Sequence, residues 1–289
     1  MWTVIGNGRD QVGESPVWDA DRNALWWVDT WGQTVNRHLL DQPNTERFAF
    51  HEMVGGIALA ADGSVRVFGE TGMFHLDPST GAFRFLSAPP DLPATHRFND
   101  VTVDPRGRLI AGTMRKSQLG AEPTGVLYVV DGEDWRRLFD GFWTVNGLAF
   151  SPDGRTLYVS DSHPSTRSIW RADYDPAAGE ASPLQTFVDM SAFAGRPDGA
   201  AVDSLGDYWI AGVGGGCLYR FDPSGRLTDQ HDVPVQRPTK LVFGGTGLDR
   251  IFVTSMSVNL DLADARDLAG ALLRLDINVP GLHLSLATV

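Results

Sequence analysis

Three features of the sequence predict an all-β fold, a six-bladed β-propeller with four-stranded antiparallel blades around a central channel. A hairpin pattern recurs six times, each unit holds about four short strand-like runs, and the units repeat about every 45 residues. A single blade cannot bury both of its faces alone. The repeats therefore predict one domain that covers residues 1–289.

The hairpin is clearest at residues 146–161. There an alternating strand with Leu148 and Phe150 meets a Ser-Pro-Asp-Gly turn, and a second apolar strand follows. The six copies of this pattern begin, in chain order, at Glu14, Gly55, Asn99, Asn146, Asp198 and Thr239. The intervals between them are 41, 44, 47, 52 and 41 residues. Intervals of this length are typical of propeller blades with four strands.

Further strand-like runs complete the units. The expected third strands are 34–37, 73–76, 126–130, 168–172, 217–221 and 271–275. The expected fourth strands are 47–50, 82–86, 135–139, 184–188 and 227–232, which leaves the sixth unit one strand short. Residues 2–5 and 283–287 also resemble strands, and we expect at least one of these two segments to complete the last blade.

Composition excludes several classes of function. The net charge of −12 is unfavourable for nucleic-acid binding, which needs clustered Lys and Arg. No run of eighteen apolar residues is present, so we expect no membrane span. The N-terminus lacks the pattern of a secretory signal, and the single cysteine, Cys217, fits a reducing compartment. We therefore expect a cytoplasmic protein, and no protein partner is predicted.

The first residues of the six hairpins carry the predicted chemistry. Inner strands of a propeller run beside the channel, so one column of the repeat lies at one level of the axis. Glu14, Asn99, Asn146 and Asp198 then bring two carboxylates and two amides together. Such oxygen donors favour a hard divalent ion, Ca²⁺, Mg²⁺ or Mn²⁺, over a closed structural Zn²⁺ site. The alternative is that Asn, Asp and Gly simply open strands after turns.

Other polar residues fall near the same end of the channel. Asp161 ends a second strand and is either a base or support for the metal ligands, or an Asp that opens a turn. Arg97 precedes the third hairpin and either orients a hydroxylated or anionic ligand or lies on the surface. Further residues on loops at this rim are Trp31, Trp143, Arg115, Lys116 and His163.

Four stretches in order resemble the senescence marker protein/regucalcin and gluconolactonase family of six-bladed propellers. These stretches are Gly13-Glu14-Ser15-Pro16-Val17-Trp18, Arg97-Phe98-Asn99-Asp100, Asn146-Gly147-Leu148 and Pro197-Asp198-Gly199. The resemblance implies that Glu14, Asn146 and Asp198 bind a divalent metal and that Arg97 and Asn99 contact a sugar lactone. It also implies that Asp198 is the catalytic base and, by similarity to related calcium-dependent phosphotriesterases, that Asn99 joins the metal ligands.

One departure from that family concerns the substrate. Some animal members carry a sugar-contacting Glu shortly after Gly-Thr-Met, whereas Arg115-Lys116-Ser117 follow Gly112-Thr113-Met114 here. This difference leaves the substrate open and favours a different or more anionic lactone.

The sequence thus predicts a hydrolase that opens an aldonolactone by attack of metal-activated water, with a small sugar lactone as its only predicted partner. One divalent cation is the expected cofactor, Ca²⁺ in first place and Zn²⁺, Mn²⁺ or Mg²⁺ otherwise. The alternatives are a phosphotriesterase-like hydrolase and a calcium-binding regulatory propeller without catalysis.

Overall fold

The structure, a computed structural model, describes residues 1–117, 122–259 and 268–288. These residues form 25 β-strands and one short 3-10 helix, Met190–Ala192, and contain no α-helix. No helix in the described ranges has the length and apolar character needed to cross a membrane.

The strands form six antiparallel sheets, one for each repeat, which confirms the predicted propeller. From the channel outwards, the first three blades are β2 (Gly13–Asp19), β3 (Ala24–Asp29), β4 (Thr34–Leu39) and β5 (Thr45–Ala49); β6 (Gly56–Leu59), β7 (Val65–Phe68), β8 (Met73–Asp77) and β9 (Ala82–Ser87); β10 (His96–Val103), β11 (Leu109–Arg115), β12 (Gly125–Asp131) and β13 (Asp134–Phe142). The fourth is β14 (Val145–Phe150), β15 (Thr156–Asp161), β16 (Ser168–Asp175) and β18 (Gln185–Asp189), with β17 (Glu180–Ala181) extending β16. The last two are β19 (Arg196–Val202), β20 (Tyr208–Val213), β21 (Cys217–Phe221) and β22 (Leu227–Asp232); β23 (Pro238–Gly244), β24 (Arg250–Ser255), β25 (Leu272–Asp276) and β1 (Thr3–Ile5).

Aromatic pairs between neighbouring blades hold the ring together. Trp18 stacks on Phe252 with ring centroids 5.7 Å apart, which joins blade 1 to blade 6. Tyr158 and Tyr208 make the same connection between blades 4 and 5 at 4.8 Å. Such pairs contribute about 1 kcal/mol beyond the apolar area that they bury. The core is therefore a set of apolar layers between blades, and the innermost strands are left to line the channel.

The N-terminal strand closes the ring. β1 pairs with β25, Val4 opposite Leu273, so the first strand of the chain is the fourth strand of blade 6. The expectation that a terminal segment completes the last blade is confirmed for residues 2–5. The C-terminal segment instead crosses to blade 2, where Ala287 forms a parallel bridge with Ala60.

Asp10 lies at the junction of blades 6 and 1. Its backbone N–H donates to Gly270 O at 2.8 Å, and its carboxylate accepts the Trp27 indole N–H at 2.8 Å. Burial, and then repulsion from Asp29, raise the pKa of Asp10 to about 7. Because the folded pKa exceeds that of the unfolded chain, folding binds a proton, and stability falls as pH rises from about 4 to 7.

Replacing Asp10 by Asn is therefore expected to stabilise the protein at alkaline pH. The amide oxygen can still accept the Trp27 N–H, and the buried charge is removed. We expect a gain of about 2 kcal/mol at pH 8 and almost no change at pH 4, measured by urea unfolding. An equal gain at both pH values would contradict the assignment of the raised pKa to Asp10.

Candidate functional site

The candidate site lies where the innermost strands begin, all at one end of the channel. In five blades the pairing of the inner strand shifts register at this level, at Glu14/Val17, Phe98/Asp100, Asn146/Ala149, Pro197/Ala200 and Pro238/Leu241. Bulges of this kind re-aim side chains and are frequent beside functional sites. The remaining blade, blade 2, begins at Gly55, where an added Cβ would lie 1.9 Å from Phe98 O. Only glycine fits at that position.

Asn146 and Asp198 are in direct contact. The Asn146 amide N–H₂ donates to Asp198 Oδ1 and, at 2.9 Å, to Ser162 Oγ. Ser162 Oγ in turn donates to Pro197 O at 2.6 Å, so blade 5 also holds the group that orients Asn146. Asn146 and Asp198 are 3% and 5% exposed, and the pair is therefore shielded from solvent screening.

Glu14 completes an electrostatically coupled centre with this pair. Burial, then repulsion from Asp198 and Asp100, raise the pKa of Glu14 well above its ordinary value, while Lys240 acts in the opposite direction. Burial also raises the pKa of Asp198; Asp100 adds to the rise, and Arg196 and Lys240 oppose it. Two buried carboxylates that repel each other form a site that a cation stabilises.

Arg97 and Asn99 form a second pair at the mouth of the channel. Arg97 Nη1 donates to Asn99 Oδ1 at 2.9 Å and to Phe98 O at 2.8 Å, and Asn99 Nδ2 donates to Val145 O at 3.0 Å. Burial lowers the pKa of Arg97 to about 10, against the opposing charges of Glu14, Glu70 and Asp198. The guanidinium is therefore charged at neutral pH and close enough to the carboxylates to interact with them.

The sixth residue of the column, Thr239, has a structural role. Its hydroxyl donates to Gly13 O of blade 1 and lies 2.9 Å from Thr254 Oγ1 of its own blade. Thr239 is fully buried. These contacts link the last blade to the first.

Asp161 supports a loop by three backbone hydrogen bonds. Its carboxylate accepts N–H groups of Trp143 at 2.8 Å, Thr144 at 3.2 Å and His163 at 2.9 Å. The Trp143 and His163 rings stack at the rim with centroids 4.2 Å apart. Burial raises the pKa of Asp161, although these N–H groups act to lower it.

The same arrangement recurs in blade 1, which identifies it as a feature of the repeat. Asp29 ends the equivalent strand β3 and accepts N–H groups of Gln11 at 2.9 Å, Val12 at 3.0 Å and Gly32 at 2.9 Å. The shared position therefore indicates that the Asp161 carboxylate holds a loop in place. This agrees with an Asp that opens a turn and not with a catalytic base.

Two functional candidates escaped the sequence analysis, Asp100 and Lys240. Each stands one position after a column residue, and Lys240 Nζ donates to Asp100 Oδ1 in a buried ion pair. Reading the next column of the repeat could have found them. That column is Ser15, Gly56, Asp100, Gly147, Gly199 and Lys240. It contains one acid and one base, three blades apart, and three glycines that leave room between them.

The donor chemistry of the site fits a divalent cation. Among the described residues, no donor hydrogen-bonds to Glu14 Oε1 or Asp198 Oδ2, so each carboxylate keeps an oxygen available. A half turn of the Asn146 amide exchanges its nitrogen for its oxygen. No group of three or more His, Cys, Asp and Glu in the described ranges has the arrangement of a metal site. The candidate centre thus depends on two carboxylates and on amide oxygens, the ligands that hard cations prefer.

Comparison with known proteins places the chain in a family. The model of the SMP-30/Gluconolactonase/LRE-like region matches residues 12–257, which is most of the chain. The chain belongs to this family.

Relatives in the SMP-30/gluconolactonase family extend over almost the whole chain. A pentonolactonase of Haloferax volcanii is 31% identical over 281 residues, 94% of this chain and 92% of that protein. A 6-deoxy-6-sulfogluconolactonase of Pseudomonas putida is 33% identical over 273 residues, 93% of this chain and 92% of that protein. The crystal structure of a calcium-binding protein, regucalcin, from Agrobacterium tumefaciens matches with a TM-score of 0.93 and 26% identity, over 99% of this chain and 97% of that one.

Proposed function

We propose that this protein is a sugar-lactone hydrolase that depends on one divalent cation. The observation that carries the proposal is the centre of Glu14, Asn146 and Asp198, two buried and mutually repelling carboxylates with an amide that is hydrogen-bonded to Asp198. The lactonases among its relatives support the reaction class. The similarity to a calcium-binding regucalcin supports Ca²⁺ as the first ion to test.

Glu14, Asn146 and Asp198 would hold the cation, with Asn99 as a further ligand. When bound, such an ion supplies Lewis-acid polarisation of the lactone carbonyl and stabilises developing negative charge on its oxygen. Asn99 Oδ1 accepts the Arg97 N–H here, and the second lone pair of that oxygen is left for the cation.

The chain's own groups account for orientation and proton transfer. Arg97 and Asn99 lie at the mouth, where their N–H groups can donate to hydroxyl oxygens of the sugar. The Asp198 carboxylate accepts a proton from the attacking water as the new C–O bond forms. The same proton passes to the ring oxygen when the old C–O bond breaks, and the product is the aldonic acid.

The substrate is expected to be a pentono- or hexonolactone. No Glu stands directly after Met114, where the basic pair Arg115 and Lys116 follows instead. Lys116 forms an ion pair with Glu70, and Glu70 also interacts with the charge of Arg97 at the mouth. This charge pattern favours a lactone with an anionic substituent. The cytoplasmic location, inferred from the lone and buried Cys217, stays a prediction.

A substrate panel tests the reaction class. The protein would be assayed with pentono- and hexono-1,4- and 1,5-lactones and, in parallel, with phosphotriesters, each with Ca²⁺, Mg²⁺, Mn²⁺ or Zn²⁺. We expect turnover of at least one lactone well above spontaneous hydrolysis. Turnover of phosphotriesters with inert lactones would replace the proposal by the phosphotriesterase. Metal binding without turnover of either class would replace it by the regulatory protein.

A further inference from the structure

Lys240 and Asp100 meet across the channel from opposite blades. The inner strands contact one another in the order β2, β6, β10, β14, β19 and β23, and back to β2, so β10 and β23 face each other. Asp100 belongs to β10 and Lys240 to β23. Lys240 Nζ donates to Asp100 Oδ1 and, at 3.3 Å, to Val101 O. The two side chains are 8% and 2% exposed, so the bridge is shielded from water.

The surrounding backbone leaves space for Lys240 and holds Asp100 in place. A Cβ on Gly199 would lie 2.3 Å from both Cβ and Cγ of Lys240, so only glycine leaves space for the lysine stem. Asp100 is held by two backbone donors, Val101 N at 2.8 Å and Leu148 N of blade 4 at 2.8 Å. The carboxylate therefore links blades 3, 4 and 6, and its position is fixed before any ligand binds.

The bridge lies between the candidate metal site and the far half of the channel. Lys240 and Asp100 each follow a residue of the column that carries the site. On the other side, Lys240 lines a cavity of about 280 Å³ together with apolar residues such as Val101 and Leu148, and the C-terminal Leu282 and Leu284 line it as well. The ion pair therefore forms the floor of the metal chamber, the part of the channel lined by Glu14, Asn146 and Asp198, and separates it from the apolar cavity.

The presence of lysine rather than arginine at position 240 fits the narrow space in the channel. The chain contains two lysines, Lys116 and Lys240, and uses arginine for its other basic side chains. An ammonium is a compact point charge on a flexible stem, which suits a narrow channel better than a planar guanidinium. The Lys240 stem runs beside Gly199, the residue after Asp198, and Asp100 accepts the N–H of Leu148, two residues after Asn146. Both members of the ion pair therefore lie against the backbone that carries two of the residues proposed as metal ligands.

We propose that Lys240 is a positioning residue that forms the floor of the metal chamber and, with Asp100, sets its charge and hence its affinity for a divalent cation. This inference rests on the proposed metal site. When ionised, the three buried carboxylates Glu14, Asp100 and Asp198 carry three negative charges, and the Lys240 ammonium offsets one of them. Arg97 and Arg196 act on the same carboxylates from the strand beginnings at the mouth.

A double-mutant cycle tests the inference, with the dissociation constants of Ca²⁺ and Mg²⁺ measured by calorimetric titration. Lys240→Met removes a positive charge and is expected to tighten cation binding at least about tenfold. Asp100→Asn removes a negative charge and is expected to weaken it by a similar factor. The double variant should return to within about threefold of the wild-type dissociation constant. Lys116→Met is the matched control, because its rim charge is a third exposed and is expected to change binding less than threefold.

The outcomes separate the two proposals. A wild-type protein that binds none of Ca²⁺, Mg²⁺, Mn²⁺ and Zn²⁺ overturns the proposed function and this inference with it. A wild-type protein that binds a cation, with both single variants weaker or both unchanged, overturns this inference alone, because a purely structural bridge gives effects of one sign.

A second measurement covers the case in which Lys240→Met does not fold. Wild-type protein labelled with ¹³C at lysine Cε gives two signals, which the Lys116→Arg variant assigns. Saturation with Ca²⁺ is expected to shift the Lys240 signal. A Lys240 signal that does not move at saturation would contradict the inference.

Discussion

Replacing Glu14 by Gln is expected to lower kcat/KM for lactone hydrolysis at least about a thousandfold and to weaken cation binding at least about a hundredfold. The substitution keeps the shape of the side chain and removes one of the two ligand charges. Glu14 Oε2 accepts the Ser15 N–H at 3.0 Å, and the Gln amide oxygen can take over that bond. The measurement is steady-state kinetics at increasing metal concentration, beside calorimetric titration.

The Glu14→Gln substitution is also expected to change the melting temperature of the metal-free protein. Burial and repulsion raise the pKa of Glu14, so its ionised form destabilises the metal-free fold at neutral pH. The Glu14→Gln variant should therefore melt at a higher temperature than the wild type in the presence of a chelator. Full activity in a folded variant, or a lower melting temperature in chelator, would contradict the role assigned to Glu14.

Replacing Asp198 by Asn is expected to have the largest effect, a loss of at least about 10⁴-fold in kcat. Asp198 is proposed both as a ligand and as the group that accepts the proton from water. Its contact with Asn146 survives when the amide oxygen of the substituted side chain takes the position of Asp198 Oδ1, which accepts the Asn146 N–H. Saturating metal should restore part of the activity of Glu14→Gln and none of the activity of Asp198→Asn.

Asp161→Asn is the matched control for the identity of the base. Asp161 is equally buried, but its carboxylate is occupied by three backbone N–H groups. The control is expected to keep cation affinity and to lose less than about tenfold in kcat, through displacement of the Trp143–His163 loop. A larger loss in Asp161→Asn than in Asp198→Asn would transfer the role of base to Asp161.

The propeller fold could be predicted because each hairpin repeats the same alternating strands and the same kind of turn. The Ser-Pro-Asp-Gly turn at 151–154 and the glycine at 107 of another copy both take a positive φ at glycine, 66° and 86°. The third and fourth strands followed from the same alternation. The closing strand at residues 2–5 was predicted only as one of two choices, since both termini alternate and only tertiary pairing selects between them.

The site was predictable to the extent that it lies in one column. Glu14, Asn146 and Asp198 could be grouped from spacing alone, and the structure couples them through a hydrogen bond and through charge. The Lys240–Asp100 ion pair was missed because its residues lie in the next column of the repeat, where one acid and one base stand three blades apart. Asp161 could not be assigned from its position either, since its three backbone donors come from loop geometry.

The most direct test of a catalytic cation is the rate of lactone hydrolysis by metal-stripped protein before and after one divalent ion is added back. We expect the stripped protein to fall to the spontaneous rate, and a single equivalent of the preferred ion to restore turnover. Undiminished turnover by protein shown to be free of metal would contradict the role of Glu14, Asn146 and Asp198 as ligands of a catalytic cation.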